Sequence, residues 1–181
     1  TSLMKVFIMS SSVNIEEHAF YDCQALMYIK LPLAMNSIKS DAFYGCKSLT
    51  EIEIPSSVSS IKSHSFYNCM SLRRITIPSS LTTIEQSLFG KCCSLSKIII
   101  PSSVTEIEKY AFFECSSLRY IEIPSSITSI KPYTFYGCTS LRRINIPSSI
   151  VSIESHAFYN CKSLVRARFF IPNLDSIGEK A

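Results

Sequence analysis

The chain has 181 residues, is 46% hydrophobic and 18% charged, and carries a formal net charge of +4. That balance is too apolar and too mildly charged for a disordered chain, and it supplies one sizeable core. No apolar run approaches the ~20 residues needed to span a bilayer, and the start, Thr1-Ser2-Leu3-Met4-Lys5, lacks the charged and apolar regions of a signal peptide.

The rest follows from a repeat. Proline falls at 32, 55, 78, 101, 124 and 147 and cysteine at 23, 46, 69, 92, 115, 138 and 161, a step of 23 in both series. Such a period denotes a solenoid. Residues 1–181 therefore read as a single solenoid of about seven tandem repeats. Thr1-Ser2-Leu3 aligns with Thr139-Ser140-Leu141, and Ala181 with Ala157, so both ends fall in mid-repeat and the expectation is a fragment of a longer array.

Each repeat opens with Leu-x-x-Ile-x-Ile, as in Leu72, Ile75, Ile77 or Leu141, Ile144, Ile146. Apolar residues two apart and a closing proline predict a short strand. Pro-Ser-Ser, at 55–57, 78–80, 101–103, 124–126 and 147–149, cannot extend a ladder, and its hydroxyls are expected to bond their own turn. A second apolar pair follows (Val58 and Ile61, Val104 and Ile107, Ile127 and Ile130) and predicts the opposite wall of the coil. A stretch such as Glu154-Ser155-His156-Ala157-Phe158-Tyr159 then predicts one turn of helix, closed at the column Asp22, Gly45, Asn68, Lys91, Glu114, Gly137, Asn160. Five of those seven are types that tolerate a left-handed backbone. One coil has too few large apolar side chains to offset the ordering of 23 residues, so stability depends on stacking.

The irregular coils come in order. Leu33-Ala34-Met35 replaces Ser-Ser-Val and predicts a repacked turn or a small apolar contact point; Gln86-Ser87-Leu88 puts leucine where alanine is usual; Arg168-Phe169-Phe170-Ile171-Pro172 carries two extra residues and predicts a bulge. Unpaired strand edges near Val6 and Arg166 predict end-to-end self-association.

Taken together, Leu-x-x-Ile-x-Ile-Pro-Ser-Ser-Val-x-x-Ile-x-x-x-Ala-Phe-x-x-Cys at a 23-residue period resembles the leucine-rich repeats of the BspA-like surface-antigen family, also called the Treponema pallidum type. The resemblance implies a horseshoe-like leucine-rich-repeat solenoid, with a concave parallel β-sheet, short outer strands and single helical turns on the convex side. It also implies a cell-surface or extracellular adhesion module for host or matrix proteins. The alternative is an intracellular, cytoplasmic scaffold, which the absence of any Asn-x-Ser/Thr glycosylation site favours.

Catalytic and metal chemistry finds little support. Zinc needs convergent ligands, and the only close cysteine pair is Cys92-Cys93. Stacked cysteines have parallel side chains, so a column of buried thiols is expected, with Cys93 outside it as the candidate exposed, reactive thiol. His18, His64 and His156 share one repeat position but lie at least two coils apart. Four glycines form no phosphate-binding loop. The tyrosines at 21, 44, 67, 136 and 159 are expected as half-buried outer packing. No enzyme, cofactor, small-molecule substrate or nucleic-acid partner is expected.

Specificity should then lie where repeats differ on the inner sheet. The x positions there hold ten basic and three acidic residues, a net +7, so the remainder of the chain carries −3. The candidate ligand contacts are Arg73, Arg74, Lys97, Arg119, Tyr120, Arg142, Arg143, Asn145, Arg166 and Arg168, and a protein segment or glycan bearing acidic groups is the expected partner.

Overall fold

The structure, a computed structural model, describes residues 3–10, 13–169 and 176–181, with the strand at 166–169 given by its backbone. Fourteen short strands and no helix occur among the described residues. Numbered in chain order, the inner strands are β1 (Lys5–Phe7), β2 (Tyr28–Lys30), β4 (Glu51–Ile52), β6 (Arg74–Ile75), β9 (Tyr120–Glu122), β11 (Arg143–Ile146) and β13 (Arg166–Phe169). The outer ones are β3 (Ser37–Ile38), β5 (Ser60–Ile61), β7 (Thr83–Ile84), β8 (Glu106–Ile107), β10 (Ser129–Ile130), β12 (Ser152–Ile153) and β14 (Ser176–Ile177).

Every pairing is parallel and joins equivalent repeat positions: Lys5 to Tyr28, Glu51 to Arg74, Tyr120 to Arg143, Arg143 to Arg166. The coil around Lys97 joins the inner sheet through a single bridge to Tyr120. On the outer side Ser129 pairs with Ser152, but Ser152 pairs with Ser176, a step one residue longer than the repeat. The bulge expected at 168–172 falls largely outside the described residues.

The core is a set of columns, because equivalent residues stack from coil to coil. Leu72, Leu95, Leu118 and Leu141 are fully buried, as are Phe43, Phe66, Phe89, Phe112 and Phe135. The phenylalanine rings stack continuously from Phe20 to Phe158, with centroids 5.3 to 6.0 Å apart. Leu88 is fully buried in its alanine position, so that coil holds extra bulk inside.

The convex side corrects the expectation of helical turns. The left-handed residues at Asp22, Gly45, Asn68, Lys91, Glu114, Gly137 and Asn160 are there, but a second left-handed column precedes them by four residues: His18, Asp41, His64, Ser87, Tyr110, Tyr133 and His156. Two such residues per repeat interrupt any helix. Alternate N–H groups close local turns, as Tyr44 to the Asp41 carbonyl (3.0 Å), while those between reach the next coil, as Phe43 to Ser65 (2.9 Å) and Gly45 to Tyr67 (2.8 Å). A helix would satisfy its bonds internally; this wall spends half of them between coils.

The Pro-Ser-Ser turns are corrected in the same sense. Val58 N–H donates to the Pro55 carbonyl (3.0 Å) and closes the turn by backbone alone. The second serine reaches the previous coil instead: Ser57 Oγ donates to Met35 O (2.6 Å), Ser80 to Val58 O (2.6 Å), Ser103 to Leu81 O (2.9 Å) and Ser149 to Ile127 O (2.7 Å). The turn at Leu33-Ala34-Met35 is not repacked: Met35 takes the usual buried place and Leu33 projects, 82% exposed.

Candidate binding face

Strand alternation decides which side chains stand on the inner sheet. In β9 and β11 the isoleucines point into the core while Tyr120, Glu122, Arg143 and Asn145 face outward. Arg73, Arg74, Lys97, Arg119 and Arg142 are likewise exposed. Register forms a column through Lys97, Tyr120, Arg143 and Arg166, and beside it Glu122, Asn145 and Arg168, while Arg74, paired with Glu51, holds the same repeat position one coil before Lys97. For Arg166 and Arg168 the placement rests on backbone pairing.

The face is graded. Arg74 Nη2 pairs with Glu51 Oε2 at 2.9 Å near the middle. Among the described residues, Arg73, Lys97, Arg119, Arg142 and Arg143 have no carboxylate within 4.0 Å. Tyr120 OH donates to Glu122 Oε2 (3.2 Å) and accepts from Asn145 Nδ2 (3.2 Å). Local burial and then the Glu122 carboxylate raise the phenol above its ordinary pKa. The first two coils are instead mostly apolar: Met4, Phe7, Met27 and Tyr28 are exposed beside Lys5 and Lys30, with the Phe7 and Tyr28 rings 5.7 Å apart. The charge count missed this end because it summed the face; reading it coil by coil finds the four residues at once.

The other candidates fall into place. Each repeat cysteine from Cys46 to Cys161 donates its thiol to a phenylalanine carbonyl of the preceding coil, Cys69 to Phe43 (3.2 Å), Cys115 to Phe89 (3.1 Å) and Cys138 to Phe112 (3.2 Å), and all eight cysteines are free. Burial pushes the Cys46 thiol up to about 12 and the Cys161 thiol to about 11, and likewise holds Cys69, Cys92, Cys115 and Cys138 well above the ordinary thiol value. Cys93 is half-buried rather than exposed, its sulfur 3.8 Å from the Glu114 carbonyl. The three histidines sit on the convex side, where His18 brings a ligand atom within 4.8 Å of ones from Glu17 and Asp41, a solvated surface cluster. Among the described residues, no helix is long and apolar enough to cross a membrane.

Comparison with known proteins gives a consistent result. Six copies of the family profile described as the BspA type leucine rich repeat region match across residues 1–119 and 105–181. A search of curated proteins finds no match. Among solved structures, the leucine-rich repeat protein of T. pallidum superposes with a TM-score of 0.83 at 29% identity, covering 98% of this chain and 86% of that one. A leucine-rich repeat protein of Bacteroides ovatus gives a TM-score of 0.63 at 28% identity, covering 98% of this chain but 63% of that one, so this chain spans less than two thirds of its length.

Proposed function

The chain belongs to the BspA-type leucine-rich repeat family, and on that premise we propose that it is a non-enzymatic binding module displayed at a cell surface, recognising host or matrix proteins or acidic glycans through its inner sheet. The observation that carries this reading is the cluster of exposed, unpaired cations on the later coils. Guanidinium groups bind carboxylate and sulfate in bidentate fashion, and a patch of net positive charge concentrates ligands of the opposite charge. Arg119 and Arg142 directly precede β9 and β11, joined by the Arg142 N–H to the Arg119 carbonyl (3.0 Å), and Arg143 opens β11, so backbone pairing sets their spacing. Met4, Phe7, Met27 and Tyr28 extend the same face with an apolar surface suited to a protein ligand.

The test is binding to immobilised heparin and a panel of matrix proteins at low and high salt, beside a variant carrying Arg142→Glu, Arg143→Glu, Arg166→Glu and Arg168→Glu. Salt-sensitive binding that disappears in the folded variant supports the reading. Equal binding by the variant, or none at low salt, makes the basic face a solvated surface.

A further inference from the structure

The convex wall carries two columns of rings beside the buried phenylalanines, and the coil of Ser87 and Gly90 lacks a ring in both. In one column Tyr21, Tyr44 and Tyr67 stack at 4.8 and 5.2 Å, and Phe113, Tyr136 and Tyr159 at 5.1 and 5.3 Å. Between the two runs stands Gly90. In the other, Tyr110, Tyr133 and His156 stack at 4.8 Å, and the coil before Tyr110 offers Ser87. The coil with extra bulk inside, at Leu88, is thus the one stripped of rings outside.

A cavity of about 590 Å³ opens at this gap, with His64 and Tyr67 on one side, Tyr110 and Phe113 on the other, and Asp41 and Ser87 contributing polar atoms. We propose that it is a binding slot for one planar aromatic group carrying a hydrogen-bond donor, a phenol or an indole. Three features point there. Two coil steps separate Tyr67 from Phe113, about 10 Å, which admits one further ring in offset contact with both. Gly90 brings no ring of its own to the column, and the Tyr67 ring packs over it, with Cδ2 and Cε2 2.7 Å from where a Cβ would sit, so that ring forms the near wall of the slot. Among the described residues that line the cavity there is no lysine or arginine, whereas the Asp41 carboxylate is one of them, so it suits a donor; Lys91 Nζ stands outside the lining, 5.8 Å from the Tyr67 ring centroid.

The chain contains no tryptophan, so an indole probe can be excited without background from the protein. The experiment follows fluorescence anisotropy of three probes, free indole, N-acetyltryptophanamide and a short peptide with one tryptophan, with a cyclohexyl amino-acid amide as competitor. Saturable binding is expected, resistant to the cyclohexyl compound. Gly90→Tyr, which rebuilds the column, should weaken it by about tenfold or more, and Phe113→Ala, which removes one wall of this half-buried site, by several-fold. Circular dichroism and a cooperative melt establish that each variant folds; if Gly90→Tyr does not, because Tyr67 must move for it, Phe113→Ala decides. Tighter binding of the peptide than of free indole identifies a polypeptide as the source of the ring, and equal binding a small molecule. No saturable binding of any probe, unchanged affinity in a folded variant, or displacement by the cyclohexyl compound overturns the proposal. The fourfold arginine variant of the inner sheet should bind indole normally, so the two faces stand or fall separately.

Discussion

The convex wall and the inner sheet are both held coil to coil by backbone hydrogen bonds, yet their side chains obey different rules. On the wall, Phe89, Phe112 and Phe135 stack ring upon ring and the thiols of Cys115 and Cys138 each bond a carbonyl of the preceding coil. On the sheet, Arg73, Ser96, Arg119 and Arg142 occupy one repeat position, exposed and answerable to little but solvent. A wall residue is constrained by two neighbouring coils, whereas a sheet residue is free to differ. Structure therefore resides in what repeats, and the proposed recognition in what does not.

Alkaline pH should break the wall and leave the sheet's charge intact, with the largest effect of all. The repeat thiols have folded-state pKa values raised from an ordinary 9.0, to about 12 for Cys46. A raised folded pKa means stability is fully present below the unfolded value and is lost as pH rises from it toward the folded one. Above pH ~9 each buried thiol should remove about 1.4 kcal/mol per pH unit, while arginine stays protonated. Urea midpoints at pH 7, 9 and 10 check this, and Cys115→Ala should flatten the slope. An unchanged midpoint would show the thiols to be accessible.

Next in size is Phe112→Ala. Its ring is fully buried between Phe89 at 5.6 Å and Phe135 at 5.5 Å, so truncation should cost about 3–5 kcal/mol in chemical denaturation. Smaller again is Ser103→Ala, which deletes one bond between coils, to Leu81 O at 2.9 Å, and should cost about 1 kcal/mol. A loss below a few tenths would return the serines to the role of ordinary turn formers.

These magnitudes also mark what was legible in the sequence. Leu72, Ile75, Phe66 and Cys69 announced their columns because a 23-residue period projects directly onto stacking, and Asn68 and Gly45 announced a left-handed backbone by residue type. Tyr110 and Tyr133 gave no such signal: their left-handed backbone accompanies N–H bonds to carbonyls of the next coil, at Pro132 and Ser155, a non-local cause that residue type does not encode. Ser57 looked like a turn former because its partner, Met35 O, lies 22 residues away. On the inner sheet the basic positions were legible as a set, but their pairing was not, since Arg74 meets Glu51 through register. The cavity was legible only in part, as a tyrosine column with a glycine at 90 whose meaning depends on the stacking distance.

The smallest expected effect on stability is the sharpest test of the comparison. Arg142 and Arg143 are exposed, and among the described residues neither has a carboxylate within 4.0 Å, so Arg142→Glu with Arg143→Glu breaks no bond. Arg119 lies one coil before Arg142, so the reversal replaces like-charge neighbours with opposite ones, and stability should hold or rise by a few tenths of a kcal/mol. The gain should shrink as salt is added, because all the groups face solvent. Urea denaturation at two salt concentrations, run on the protein used for heparin binding, measures both sides of the comparison at once. A destabilisation beyond about 1 kcal/mol would mean that the arginines support the coils, as the rings do, and that wall and sheet are not separable.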